Sequence, residues 1–294
     1  MPKVNANNIE IEYETFGNKS DKPLLLVKGL GAQMIDWDEE FIQLLVDHGF
    51  FVIRFDNRDV GLSTKIEEAG EPNMMEAYIA IQAGKPFEPP YTLEDMADDT
   101  VGLLDALNIE KAHICGTSMG GMIAQLMTLR HPTRVLSLTS IMSSTGNPDL
   151  PRGDPEVGKV MMTPAPSERD GYVKYYVKLR RLQYGSFPYD EAKNRVIAGR
   201  FFDRSFYPPG IGRQSLAIMV NGNRKSKLSS IKVPTLIIHG SEDPVIPVEG
   251  GKDTQEAIPG SKLIIIEGMG HSLPLEAWGQ ISDAITENAS KAQA

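Results

Sequence analysis

The strongest constraint in this chain is Gly116-Thr117-Ser118-Met119-Gly120, followed by Gly121. It stands between a short strand pattern, residues 112–115, and a helical pattern, residues 119–129. A strand that turns at once into a helix needs small residues, because the two backbones pass close to each other at the turn. A serine at the apex holds its hydroxyl out of the sheet. The helix N-terminus turns free N–H groups toward any negative charge that develops there. Plain glycine-rich turns of this kind also exist, so the rest of the chain must supply what a serine nucleophile lacks.

The same alternation repeats along the 294 residues. Residues 9–16 alternate apolar and polar and predict an antiparallel strand. Residues 24–27 are a continuous apolar run, as in a strand covered on both faces, and residues 51–55, 112–115, 135–141, 235–239 and 263–266 predict further strands. Residues 37–48 carry Trp37, Phe41, Leu44 and Leu45 at helical spacing, with Gly49 as a stop signal. Thr92 and Asp95 have the spacing of a capping box ahead of Met96, Val101, Leu103, Leu104 and Leu107. Residues 278–285 predict a closing helix. The expected fold class is α/β, a mostly parallel sheet with helices on both faces.

Residues 144–217 interrupt this rhythm. They open on a Gly/Pro/Asp-rich stretch, carry further prolines, show no good strand, and hold 10 of the 21 aromatic residues between Tyr172 and Tyr207. We read them as a helical insertion across the C-terminal edge of the sheet, where such folds bind ligands. The core is then 1–143 with 218–294. Charge divides the same way. The insertion has 12 basic and 8 acidic side chains, a balance of +4, against 18 and 31 elsewhere, a balance of −13. An electrostatic match between insertion and core is the expected reason, ahead of a preference for acidic substrates.

The net charge of −9 argues against a nucleic-acid partner. A single cysteine, Cys115, excludes an intramolecular disulfide and fits a reducing compartment. No apolar run nears the ~18 residues of a membrane span, and no signal-like segment opens the chain. The expectation is a soluble cytoplasmic protein without a membrane partner; homo-oligomer formation is left open.

A serine hydroxyl needs a base, and the base needs an orienting group. Of the five histidines, His48, His113, His131 and His239 sit at element ends and suit capping, packing or surface roles. His271 lies in Glu267-Gly268-Met269-Gly270-His271-Ser272, between the last apolar run and the last helix, and is the candidate base. Asp243, in His239-Gly240-Ser241-Glu242-Asp243-Pro244, is the candidate acid, with Glu242 as its neighbouring rival; Asp253 reads as a helix-face charge. The order is Ser…Asp…His. For an oxyanion hole, the backbone N–H of Met119 follows from the turn, and Leu30 in Lys28-Gly29-Leu30-Gly31-Ala32 is the second donor, with Gly31 as alternative.

With these motifs in order, the chain resembles the α/β-hydrolases from about residue 9 to about residue 285. Asp56-Asn57-Arg58-Asp59-Val60-Gly61-Leu62-Ser63-Thr64 and Gly268-Met269-Gly270-His271-Ser272-Leu273-Pro274 are similar to the aclacinomycin methylesterase group of capped esterases. The resemblance implies carboxylic-ester hydrolysis by Ser118, Asp243 and His271, oxyanion donors at Leu30 and Met119, and a helical cap in the insertion. No metal or organic cofactor is implied. Two departures stand out. Lys28 replaces a common histidine, and a solvated or carbonyl-bonded lysine is expected there. Asp59 stands where relatives commonly have glycine. Asp56 and Arg58 read as loop-fixing, Lys178-Leu179-Arg180-Arg181 as a solvated face, and Tyr172, Tyr175, Tyr176 and Leu179 as packing against the core. Met161 and Met162 suit an adaptable pocket. Cys115 reads as a buried structural thiol.

The expected substrate is a small-molecule ester. A lactonase or cofactor-free perhydrolase would use the same three residues. A receptor with a hydrolase fold would bind without turnover.

Overall fold

In the computed structural model, which describes residues 2–292, the elements run β1 (Lys3–Ala6), β2 (Ile9–Phe16), β3 (Lys22–Val27), α1 (Glu39–Asp47), β4 (Phe50–Phe55), α2 (Met74–Gln82), α3 (Leu93–Ala106), β5 (Ala112–Thr117), α4 (Met119–Arg130) and β6 (Val135–Ile141). They continue with α5 (Pro155–Met162), α6 (Arg169–Gln183), α7 (Glu191–Arg204), α8 (Pro208–Asn221), α9 (Lys225–Leu228), β7 (Thr235–Gly240), α10 (Glu249–Ala257), β8 (Lys262–Ile266) and α11 (Trp278–Ser290).

The eight strands form one sheet in the order β1-β2-β4-β3-β5-β6-β7-β8. β1, β2 and β4 pair antiparallel, and β4 onward is parallel. Side chains on one strand point alternately to the two faces. In β3, Leu25 and Val27 join one core with α3 and α4, through Leu103, Leu104, Ile123 and Met127. Leu24 and Leu26 join a second core with α1 and α11, through Phe41, Leu45, Ile281 and Ile285. Each fully buried aliphatic side chain contributes about 2 kcal/mol, so continuous apolar strands are what a sheet between two helical layers requires.

Local chemistry sets the ends of the helices. Thr92 and Asp95 close a reciprocal capping box at the start of α3. Asp38 caps α1 by accepting from Glu40 N, which leaves Trp37 outside the helix, stacked on Phe41 with ring centroids 6.0 Å apart. The short β1, α2 and α10 add to the elements expected from sequence. α10 begins Glu249-Gly250-Gly251, and glycine costs about 1 kcal/mol in a helix. Here it is needed: a Cβ at Gly251 would sit 2.7 Å from His239 Nδ1.

Helices α5–α8 lie between β6 and β7, and α8 runs to Asn221, four residues beyond the expected end of the insertion. Tyr172, Tyr176, Phe201, Phe202 and Phe206 interlock α6 with α7. The rings of Tyr172 and Tyr176 thus pack against other residues of the insertion rather than against the core. Basic side chains of these helices meet acids of the sheet loops: Arg204 with Asp56 and Lys193 with Asp38, at 2.7 and 2.8 Å, and Arg213 with Asp59 at 2.8 Å.

Candidate active site

Ser118 stands between β5 and α4 with φ 56° and ψ −122°, a conformation that costs a non-glycine residue about 1–3 kcal/mol. The glycines around it make that turn buildable. A Cβ at Gly116 would lie 2.0 Å from the Gly120 carbonyl oxygen, and one at Gly120 would lie 2.2 Å from that of Val27. The loop after β3 crosses directly over the serine: a Cβ at Gly29 would be 3.0 Å from Ser118 Cβ.

Asp243 follows β7 and His271 follows β8, so both loops rise from the edge of the sheet that carries Ser118. Ser118 Oγ donates to His271 Nε2 at 3.0 Å, and His271 Nδ1 donates to Asp243 Oδ2 at 2.7 Å. The other carboxylate oxygen, Oδ1, accepts from Val245 N and Ile246 N, both at 2.9 Å. Burial would raise the Asp243 carboxyl, but His271 and the hydrogen bonds from His239 and His271 outweigh it and hold it well below the usual carboxylate range. The group is therefore an anion that orients the imidazole.

Glu242, the neighbouring acid, is turned away and accepts from Ser186 Oγ at 2.8 Å on the exposed side. Asp253 is not a helix-face charge. It is buried, accepting from Asn147 Nδ2 and Thr145 Oγ1 and pairing with Lys225. Around Ser118, the N–H groups of Leu30 and Met119 have no acceptor among the described residues. The N–H of Gly31 is taken by Gln214 Oε1 at 2.9 Å.

His239, expected in a capping, packing or surface role, is buried and brings its Nε2 to 3.4 Å from Asp243 Oδ2 while donating to Ile246 O at 2.8 Å. Its place at the end of a strand four residues before Asp243 was the available signal. Lys28 is neither solvated nor carbonyl-bonded. Its Nζ lies 2.7 Å from Asp36 Oδ2 and 4.4 Å from the Trp37 ring centroid, and burial lowers its pKa despite the Asp36 charge. Arg180 departs from the solvated face expected of its run: Lys178 and Arg181 are exposed, but Arg180 turns inward toward Asp36.

Asp56 fixes loops as expected, with Oδ1 on Met34 N at 2.7 Å and Oδ2 on Leu62 N at 2.9 Å. Arg58 holds Asp99 through Nε and Nη2 at 2.7 and 2.6 Å. Cys115 is buried in β5, and burial pushes its thiol up to about 12.

Ser118 and His271 open onto a cavity of about 470 Å³ between the strand loops and the inserted helices. Lys28, Asp36, Trp37, Met161, Arg180 and Trp278 are among its walls; Met162 is exposed. No helix among the described residues is long and apolar enough to cross a membrane.

Comparison with known proteins agrees with this architecture. A rhodomycin D methylesterase from Streptomyces peucetius is 28% identical, with 97% of each chain covered. Among solved structures, a meta-cleavage product hydrolase from Pseudomonas fluorescens IP01 superposes with a TM-score of 0.76 at 20% identity, covering 100% of this chain and 98% of the other. An N-acyl homoserine lactone degrading enzyme superposes with a TM-score of 0.72 at 25% identity, covering 96% and 98%. The family model for the alpha/beta hydrolase fold matches residues 22–277. The chain therefore belongs to the α/β hydrolase fold family.

Proposed function

We propose that this protein is a serine carboxylesterase acting on small to medium carboxylic esters. The observation that carries the reading is the unbroken line of hydrogen bonds from Ser118 Oγ through His271 to Asp243 Oδ2, at 3.0 and 2.7 Å, opening onto one cavity. His271 takes the Ser118 proton on Nε2 as Oγ attacks the ester carbonyl. The carbonyl oxygen becomes an oxyanion and accepts from the N–H groups of Leu30 and Met119. His271 then gives the proton to the departing alcohol, leaving an acyl-serine. Water enters, loses a proton to His271, and releases the acid and free serine by the same path. Asp243 stays ionised throughout and holds the histidine tautomer. Residues 144–217 serve as the cap over this chemistry.

Similarity over 97% of the chain to a rhodomycin D methylesterase supports a simple alkyl ester as substrate. A lactone is the second reading, favoured by the likeness to the N-acyl homoserine lactone degrading enzyme. A panel of para-nitrophenyl esters of increasing acyl length, run beside acyl homoserine lactones, tests both. Turnover of the esters supports the first reading, and turnover of lactones alone supports the second.

A further inference from the structure

Ester hydrolysis leaves part of the cavity's charge unused. Lys28 Nζ sits 2.7 Å from Asp36 Oδ2, with side chains only 7% and 11% exposed. Arg180, on α6, brings Nη2 no closer than 3.9 Å to Asp36 Oδ1, with its guanidinium 5.9 Å from the Tyr176 ring centroid. One carboxylate thus faces two cations and closes on Lys28.

The remaining charges on the cavity wall lie at its rim and have other partners or water. Lys193 pairs with Asp38 at 2.8 Å, Asp190 caps α7 by accepting from Lys193 N, and Glu276 is exposed. The inner cluster therefore holds one cation more than it has anions. The Arg180 side chain lines the cavity and is 23% exposed, so a ligand reaches it from there. The anion whose two oxygens match the guanidinium fork is a carboxylate. The same cavity wall carries the apolar surfaces of Trp37, Phe41, Met142, Leu273 and Trp278, as suits the carbon chain joining two functional groups.

We propose that Arg180 binds a carboxylate of the substrate itself, so that the ester cleaved at Ser118 belongs to a molecule that is also a free acid, such as the monoester of a dicarboxylic acid. This rests on the esterase reading above. Arg180 is then a specificity-determining residue, and Lys28 with Asp36 frames it.

The test uses two matched pairs of esters. Para-nitrophenyl hydrogen glutarate and para-nitrophenyl methyl glutarate differ by a methyl group that masks a carboxylate on the acyl side. Para-carboxyphenyl acetate and its methyl ester do the same on the leaving-group side. Rates are corrected for spontaneous hydrolysis. The wild-type enzyme should prefer the free acid of at least one pair by tenfold or more in kcat/KM, mainly through KM. Arg180→Met should bring that ratio close to one, and Arg180→Lys should keep part of it. Wild-type ratios near one in both pairs overturn the proposal even if no variant folds. So does a preference that survives Arg180→Met. Either result leaves the esterase reading intact, whereas failure to hydrolyse any of the four esters overturns that reading and the proposal with it.

Discussion

The Asp59 carboxylate holds the Arg213 guanidinium with two hydrogen bonds, from Nε at 2.8 Å and Nη2 at 2.9 Å, in a site where the two side chains are 0% and 1% exposed. Asp59 lies in the loop after β4 and Arg213 on α8, so the pair ties an inserted helix to the sheet. Asp59 has φ 68°, a backbone conformation that glycine adopts without strain. Asp59→Gly should relieve about 1 kcal/mol of backbone strain but strand a buried guanidinium, for a net loss of about 3 kcal/mol. Urea unfolding measures it. Arg213→Met added to Asp59→Gly should recover at least about 1 kcal/mol; a double variant as unstable as the sum of the single changes would contradict the assignment.

His113 makes stability depend on mild acid. Burial, with Lys22 nearby, pushes its imidazole down to about 4, and its Nδ1 bonds Ser137 Oγ at 2.8 Å. The unfolded chain takes up this proton near pH 6.5. Between those values the unfolded state binds more protons, so stability rises with pH and falls as acid crosses the window. From pH 7 to pH 4.5 the wild type should lose about 2 kcal/mol more than His113→Gln. Parallel stability curves for the two proteins would remove His113 from the account.

Cys115 should be inert in the folded enzyme. Its thiol is fully buried in β5 and pushed up to about 12, so thiolate is scarce at neutral pH. Iodoacetamide at pH 8 should leave the native protein's mass unchanged and label one thiol after denaturation. Rapid labelling of native protein, with loss of esterase activity, would place the thiol in the chemistry.

Asp243 should act through the histidine. Asp243→Asn should lower kcat by about 10³–10⁴-fold while far-ultraviolet circular dichroism stays as in the wild type. Glu242→Gln, which changes an exposed acid bonded to Ser186, should stay within about threefold. The reverse ranking would move the acid by one residue.

The parts of this site that were legible in sequence are those fixed by backbone demands. β3, β5, β6 and β7 read as strands because both their faces are covered, which lets apolar residues cluster on neighbouring positions, most fully in Leu24–Val27 of β3. Ser118, Asp243 and His271 could be picked out because each follows a strand end, and the structure brings the three within hydrogen-bond reach. What stayed hidden depends on partners distant in the chain. Arg180 sits in a basic run that reads as solvated, and only the fold turns it toward Asp36, 144 residues earlier. Lys28 is defined by the same acid, which the turn at Met34–Asp36 swings back over it. Asp253 reads as a surface charge until Thr145 and Asn147 close around it. β1 spans only four residues and takes its place by pairing with β2.

The most direct measurement is the turnover of para-nitrophenyl butyrate by Ser118→Ala, compared with the wild type at neutral pH. With the hydroxyl gone, no acyl-serine can form, while the Leu30 and Met119 N–H groups and the cavity remain. The account predicts a fall in kcat of about four orders of magnitude or more, with unfolding behaviour close to that of the wild type. Turnover within tenfold of the wild type would contradict it and remove Ser118 as the nucleophile.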